Sequence, residues 1–146
     1  MDVVVTSRRW FEDVEMFPIK ATDMIISIAT PEYSSPRLYD PQLIGVPRLN
    51  LKFHDVTQLI ESLGRMYAPI NEDQAKQIVD FAVEYIPSSK RLVVHCDAGV
   101  SRSPGVAIGL ARYFEFGNEN ELRDLYPHFN ITVAKSIWAE CQKRGM

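Results

Sequence analysis

A predicted strand, a short loop and a predicted helix follow one another between Arg91 and Phe116, and this order constrains the fold more than any other feature. Residues 91–95 read RLVVH, and the paired valines are typical of a buried strand. Pro104 then stands where a first helical turn accepts proline, and Gly117 follows the predicted end of the helix at Phe116. A strand that leads directly into a helix is typical of α/β folds.

The rest of the chain repeats this alternation. Further strands are predicted at Val3–Val5, Met24–Ala29 and Leu49–Phe53. A helix begins after the N-cap Asn71, which forms a capping-box pattern with Gln74, and it ends before Pro87; another spans Ile131–Lys143. An irregular helix is predicted within Asp55–Tyr67. We therefore expect an α/β fold with a central, largely parallel sheet of four to five strands flanked by helices.

Composition limits the function classes. With 146 residues, of which 46% are hydrophobic, the chain fits a single domain over residues 1–146. The net charge of -3 argues against a general nucleic-acid binder and against docking on acidic membranes. Cys96 and Cys141 are too few for a disulfide framework or a four-cysteine zinc site, which favours free thiols and a cytoplasmic location. No apolar stretch has transmembrane length.

The loop between the strand and the helix carries the chemistry. It reads HCDAGVSRSP from His95 to Pro104, with five residues between Cys96 and Arg102. A loop at a helix N-terminus can turn successive backbone N–H groups inward and bind an anion, and an arginine fork matches two phosphate oxygens. Phosphate is therefore expected to contact Asp97, Ala98, Gly99, Val100, Ser101 and Arg102. The Asp97 side chain is expected to face solvent, so that its amide matters more than its charge.

The same loop favours a nucleophilic role for Cys96. A helix N-terminus and a neighbouring arginine stabilise a thiolate, which can displace an alcohol from phosphorus through a covalent intermediate. Cys141 instead lies on the apolar stripe of the last helix and is expected to pack in the core. His95 has no second histidine or cysteine at ligand spacing, so neither a metal site nor a cofactor is predicted.

The pattern His-Cys-x5-Arg-Ser resembles the signature of the cysteine-dependent protein tyrosine and dual-specificity phosphatases. The resemblance implies that Cys96 is the nucleophile and that Arg102 binds the phosphoryl group. It also implies that Ser103 hydrogen-bonds the cysteine sulfur and that His95 steadies the loop and the thiolate. The position of Ser103 before the predicted helix offers a different role, as the N-cap of that helix. A phosphoprotein or phosphopeptide would be the partner, without nucleic acid or membrane.

In that family an aspartate upstream of the cysteine protonates the departing oxygen. Asp55 is the first candidate because it follows the strand Leu49–Phe53 and should emerge at the same sheet edge as Cys96. Asp73 lies in the first turn of a helix, where acids are expected for dipole reasons alone, and Asp40 lies in the proline-rich segment Thr30–Arg48.

Several functions stay open at this point. The main expectation is hydrolysis of phosphotyrosine, with phosphoserine and phosphothreonine as further substrates. The alternatives are a phosphoprotein-binding module without turnover, a phosphatase for RNA 5′-phosphates or phosphoinositides, and another thiol enzyme such as a sulfurtransferase or an arsenate reductase. Tyr33, Arg37 and Tyr39 are candidate walls of the substrate pocket.

Overall fold

A computed structural model describes residues 1–13, 17–36, 45–114 and 116–146. The strands in chain order are β1 (Asp2–Ser7), β2 (Asp23–Ala29), β3 (Arg48–Lys52), β4 (Ile60–Ser62), β5 (Arg65–Tyr67) and β6 (Arg91–Cys96). The helices are α1 (Arg8–Glu12), α2 (Glu72–Tyr85), α3 (Arg102–Ala111), α4 (Glu119–Leu125) and α5 (Ile131–Lys143). Arg37, Tyr39 and Asp40 lie outside the described residues.

The central sheet has four parallel strands in the order β1-β6-β2-β3. The strand β6 therefore lies between β1 and β2, and Cys96 at its end pairs with Ser7 at the end of β1. Every residue of β2 is buried, as expected for a strand covered on both faces. Because the strands are parallel, their carboxyl ends meet at one edge, which is where ligands bind in such sheets.

Helices cover both faces of this sheet unequally. The larger core packs α2, α3 and α5 against apolar side chains of β2 and β6. On the other face, the buried Phe11 of α1 packs with Ile25 and Val93. The predicted fold class, a largely parallel sheet flanked by helices, is therefore confirmed. None of the helices within the described ranges is long and apolar enough to cross a bilayer.

Predicted helix ends agree with the structure where capping residues define them. The Asn71–Gln74 capping box is present at the start of α2, and α5 has the predicted bounds, with Asn130 as its N-cap. The prediction of a helix from Pro104 to Phe116 began too late and ended too late, because α3 begins at Arg102 and ends at Ala111. The short helices α1 and α4 were not predicted.

The prediction of an irregular helix between Asp55 and Tyr67 was wrong. The strands β4 and β5 form an antiparallel hairpin in which Ser62 pairs with Arg65 across the two-residue turn Leu63-Gly64. Both turn residues have positive φ, 51° and 77°, which is the signature of a type I′ turn. Glycine adopts this conformation freely, whereas leucine adopts it against a steric cost of about 1 kcal/mol.

Two glycines allow α3 to lie unusually close to α5. A Cβ added to Gly105 would lie 2.8 Å from the Asn130 carbonyl oxygen, and one added to Gly109 would lie 3.0 Å from Ile137 Cβ. The close approach fixes the start of α5 against the first turn of α3. It thereby brings Asn130 next to the loop that follows β6.

Candidate active site

The Cys96 thiol lies at the carboxyl end of β6, and the residue is only 2% exposed. Two hydrogen-bonding groups surround its sulfur. The Gly99 backbone N–H donates to Sγ at 3.2 Å, and the Ser103 hydroxyl lies 3.1 Å from it. Ser103 lies inside the first turn of α3 and is therefore not its N-cap, a position that Ser101 holds. These contacts can stabilise negative charge on the sulfur.

Two carbonyl groups of the loop from Asp97 to Ser101 accept hydrogen bonds from backbone N–H groups outside the loop. The Arg8 N–H donates to the Asp97 carbonyl at 3.2 Å, and the Asn130 N–H donates to the Ser101 carbonyl at 2.9 Å. Gly99 has φ +75°, and an added Cβ would lie 2.7 Å from the Ser7 nitrogen, so only glycine fits between the loop and the end of β1. Ala98 and Val100 are exposed.

The Arg102 guanidinium is buried, with 5% of the residue exposed, and is held by three strand ends. Its Nη1 donates to the Phe53 carbonyl at 2.8 Å and to Thr30 Oγ1 at 3.3 Å. Its Nη2 donates to Asp97 Oδ2 at 3.0 Å. Its Nε is buried without a hydrogen-bond partner among the described residues. Since buried polar groups are normally satisfied, this unpaired N–H leaves one edge of the guanidinium available for an acceptor.

The expectation that the Asp97 side chain faces solvent was wrong. Besides its ion pair with Arg102, Asp97 Oδ2 accepts a hydrogen bond from Thr30 Oγ1 at 2.5 Å. Burial opposes ionisation of this carboxyl, but the hydrogen bonds from Thr30 and Arg102 outweigh it, so the pKa of Asp97 lies below its usual value. Its charge therefore orients the Arg102 guanidinium, in addition to any role of its amide.

His95 is fully buried, and it precedes Cys96 and the loop from Asp97 to Ser101, which we call the cysteine loop. Its ring stacks on Phe11 with 4.2 Å between centroids, and its Nε2 lies 2.5 Å from Ser27 Oγ. Arg48 Nη2 donates to the same hydroxyl at 3.0 Å, which leaves the Ser27 proton free to point at an unprotonated imidazole nitrogen. Burial lowers the pKa of His95 to about 4, the nearby Arg48 and Arg8 charges act in the same direction, and the Cys96 backbone opposes them.

Asp55 lies beside the cysteine loop, three residues after the end of β3. Its Oδ1 accepts hydrogen bonds from Ser101 Oγ at 2.7 Å and from Asn130 Nδ2 at 3.0 Å. Asp73, in contrast, accepts a hydrogen bond from Gln77 on the surface of α2. Of the two candidate acids that lie in the described ranges, Asp55 and Asp73, Asp55 is thus the one in contact with the loop.

Asn130 was not among the residues predicted from the sequence. Its side-chain oxygen caps α5 through the Thr132 and Val133 N–H groups, and its amide nitrogen donates to Asp55 and to the Val56 carbonyl at 3.2 Å. The residue is 4% exposed. The start of the helix after Asn130 was visible in the sequence as an N-cap signal, but its contact with Asp55 depends on the tertiary packing of α3 against α5.

No group of three or more metal-ligating side chains occurs in the ranges that the structure describes. The residues brought together at the sheet edge are instead a thiol, a guanidinium, two carboxylates and several hydroxyls. This set is suited to binding a tetrahedral oxyanion and to nucleophilic and acid–base chemistry.

Two solved structures share the fold of this chain. The crystal structure of Tk-PTP in the active form superposes with a TM-score of 0.57 at 17% identity, covering 96% of this chain and 91% of that one. The structure of the human tyrosine phosphatase-like serine/threonine/tyrosine-interacting protein gives a TM-score of 0.55 at 14% identity, covering 97% and 88%. Both likenesses extend over nearly the whole chain and concern the fold. No protein-family model matches the sequence, and no curated protein matches it.

The low pKa of His95 predicts how stability depends on pH. The folded value of about 4 lies below the usual 6.5, so the unfolded chain takes up a proton first as the pH falls. The stabilisation is complete above about pH 6.5 and is lost towards pH 4, by up to about 3 kcal/mol. In urea unfolding at a series of pH values, His95→Asn should lose less stability than the wild type over this interval; parallel curves would contradict the assignment.

Proposed function

We propose that this chain is a cysteine-dependent phosphatase that hydrolyses phosphotyrosine in proteins, with phosphoserine and phosphothreonine as further substrates. The observation that carries the proposal is the unpaired edge of the buried guanidinium of Arg102, which begins α3 directly after the loop that follows Cys96. A phosphoryl group bound there would accept from Nε and Nη2. We further propose that residues 1–146 act as one catalytic domain in the cytoplasm, where free thiols stay reduced.

In the proposed reaction the Cys96 thiolate attacks phosphorus and forms a sulfur–phosphorus bond while the bond to the ester oxygen breaks. Protonated Asp55 gives its proton to the leaving oxygen. Asp55 then takes a proton from water, which attacks the phosphocysteine and releases inorganic phosphate and the thiolate. Arg102 stabilises the charge on the equatorial oxygens, and Ser103 donates to the sulfur as it leaves. No metal ion takes part in these steps.

Two features support the assignment of Asp55. Both of its described partners bind the same oxygen, Oδ1, so Oδ2 is available to carry the transferred proton. Ser101 belongs to the cysteine loop, and Asn130 joins that loop through its backbone. Asn130 is therefore proposed as a positioning residue for the acid.

The direct test is hydrolysis of p-nitrophenyl phosphate in the presence of EDTA. The wild type should be active and inhibited by vanadate, Cys96→Ser should be inactive, and Asp55→Asn should lower kcat on a phosphotyrosine peptide by roughly 10²-fold. Activity that survives in Cys96→Ser would exclude the mechanism.

A different outcome of the same assays would point to a different function. An inactive wild type that binds phosphopeptides saturably would support a phosphoprotein-binding module without turnover. Faster turnover of inositol phosphates or of RNA 5′-phosphates would identify a phosphatase with a non-protein substrate. Turnover of thiosulfate or of arsenate would identify a sulfurtransferase or an arsenate reductase.

The role of Asn130 is tested by the substitution Asn130→Asp. Aspartate caps a helix as well as asparagine does, but it has no N–H to donate to Asp55 Oδ1, so the Asp55 carboxyl loses the contact that positions it. We expect kcat to fall about 10-fold on phenyl phosphate and much less on p-nitrophenyl phosphate, whose better leaving group needs less protonation.

Asn118→Asp provides the matched control, because Asn118 caps α4 through the Asn120 and Glu121 N–H groups in the same way. It should leave both rates unchanged. Equal losses on the two substrates in Asn130→Asp would show that the residue does not act through protonation of the leaving group.

A further inference from the structure

The β4–β5 hairpin exposes an apolar surface beside the candidate site. Leu63 at its tip is fully exposed, and Leu59, Ile60 and Met66 are between about one third and two thirds exposed. Exposed apolar side chains that cluster in one short segment indicate an interaction surface more often than scattered ones do. Met66 pairs with Glu61 and therefore lies on the opposite face of the hairpin from Ile60. We call the side chains of Ile60 and of Leu63 at the tip the hairpin patch.

The conformation of Leu63 strengthens this indication. It is the only non-glycine residue with positive φ among those that the structure describes. A type I′ turn favours asparagine and glycine. Leu63 adopts a backbone conformation that is unfavourable for leucine, and its side chain gains no stabilisation from burial in the core. Strained residues of this kind persist mainly where function requires them.

The hairpin is attached firmly to the candidate site. The His54 N–H donates to the Ala68 carbonyl at 2.8 Å, and the Ala68 N–H donates to His54 Nδ1 at 3.0 Å, so the hairpin closes directly beside Asp55. Thr132 Oγ1 donates to the Thr57 carbonyl at 3.0 Å, which ties the other end of the segment to α5. The patch therefore has a fixed position relative to Asp55.

A cavity of about 330 Å³ continues from the hairpin to the site. Asp55 and Ser101 line the end that belongs to the site, and Ile60 lines the end that belongs to the hairpin. The remaining apolar lining comes from Val56, Phe129 and Ile131. Its volume is at the lower end of the range of about 300–1,000 Å³ typical of ligand pockets, so it suits one large side chain.

We propose that the hairpin patch and this cavity form a docking surface for the polypeptide next to the phosphorylated residue, with an apolar side chain of the substrate in the cavity. The inference rests on the proposed function, since it takes the phosphoryl group to lie at Cys96. Asp55 and Ser101 line the cavity, so a side chain of the substrate next to the phosphorylated residue can reach it. The substrate chain is therefore the proposed occupant. An acidic lipid surface fits less well, because the charges of Glu61 and Arg65 leave the hairpin without a basic excess and the chain carries a net charge of -3.

The test measures binding, so that it does not depend on turnover. Phosphotyrosine peptides that differ only in a leucine or a glutamine, placed in turn at each position flanking the phosphotyrosine, are titrated against Cys96→Ser by fluorescence anisotropy. At one position or more, the leucine peptide should bind about 10-fold more tightly. The same peptides lacking phosphate should bind much more weakly.

Two hairpin variants in the Cys96→Ser background then locate the preference. Leu63→Asn should fold with an unchanged or higher Tm, because asparagine suits the turn, and Ile60→Thr keeps a β-branched residue in the strand. In both, the ratio of the two dissociation constants should fall towards one. Val83→Thr is the control: it changes an apolar residue on α2 that is about half exposed, and it should retain the ratio.

Equal binding of leucine and glutamine peptides at every position, or a preference that persists in both hairpin variants, would overturn the inference. The inference would also be overturned if the protein sedimented with phosphatidylserine vesicles or associated with itself, and Leu63→Asn abolished that binding but left the ratio of the two peptide dissociation constants unchanged. Failure of the proposed function is recognised separately, as absence of p-nitrophenyl phosphate hydrolysis by the wild type.

Discussion

A buried guanidinium requires hydrogen-bond acceptors, and the rest of the site depends on the acceptors that surround Arg102. Its partners come from the residues that follow three parallel strands: Thr30 after β2, Phe53 after β3, and Asp97 after β6. The groups meet because a parallel sheet brings the carboxyl ends of its strands to one edge. Three hydrogen-bond acceptors thus hold the guanidinium in place, and its Nε has no hydrogen-bond partner among the described residues.

The Asp97 carboxylate has two opposing effects on this arrangement. It holds the guanidinium plane in place, with Thr30 as a second anchor, and so reduces the reorganisation needed when an oxyanion arrives. It also adds a negative charge to the loop that would bind the anion. Because one Nη2 hydrogen bond goes to Asp97, the anion has to share this nitrogen, and the unpaired Nε becomes the more important donor.

The strands and the longer helices were predictable from the sequence, because apolar runs and capping residues act locally. The position of the segment from His95 to Ser103 between a strand and a helix was predictable for the same reason, because the pattern is contiguous. The hairpin was missed because its turn carries Leu63-Gly64 rather than the Asn-Gly or Asp-Gly pair that marks such turns. The contacts of Asp97 with Thr30 and of Asn130 with Asp55 join segments that are distant in sequence. The second of them depends on the close packing of α3 against α5, which the two glycines of α3 permit but do not reveal.

The central claim is that the unpaired edge of Arg102 and the Cys96 sulfur together bind a tetrahedral oxyanion. A crystal structure of the wild type with tungstate tests it most directly. The account predicts tungsten facing Cys96 Sγ, with oxyanion oxygens about 2.7–3.0 Å from Arg102 Nε and Nη2 and the Asp97 contact retained. A loop that stays empty at saturating tungstate, or an anion bound elsewhere with Arg102 Nε still unpaired, would contradict it.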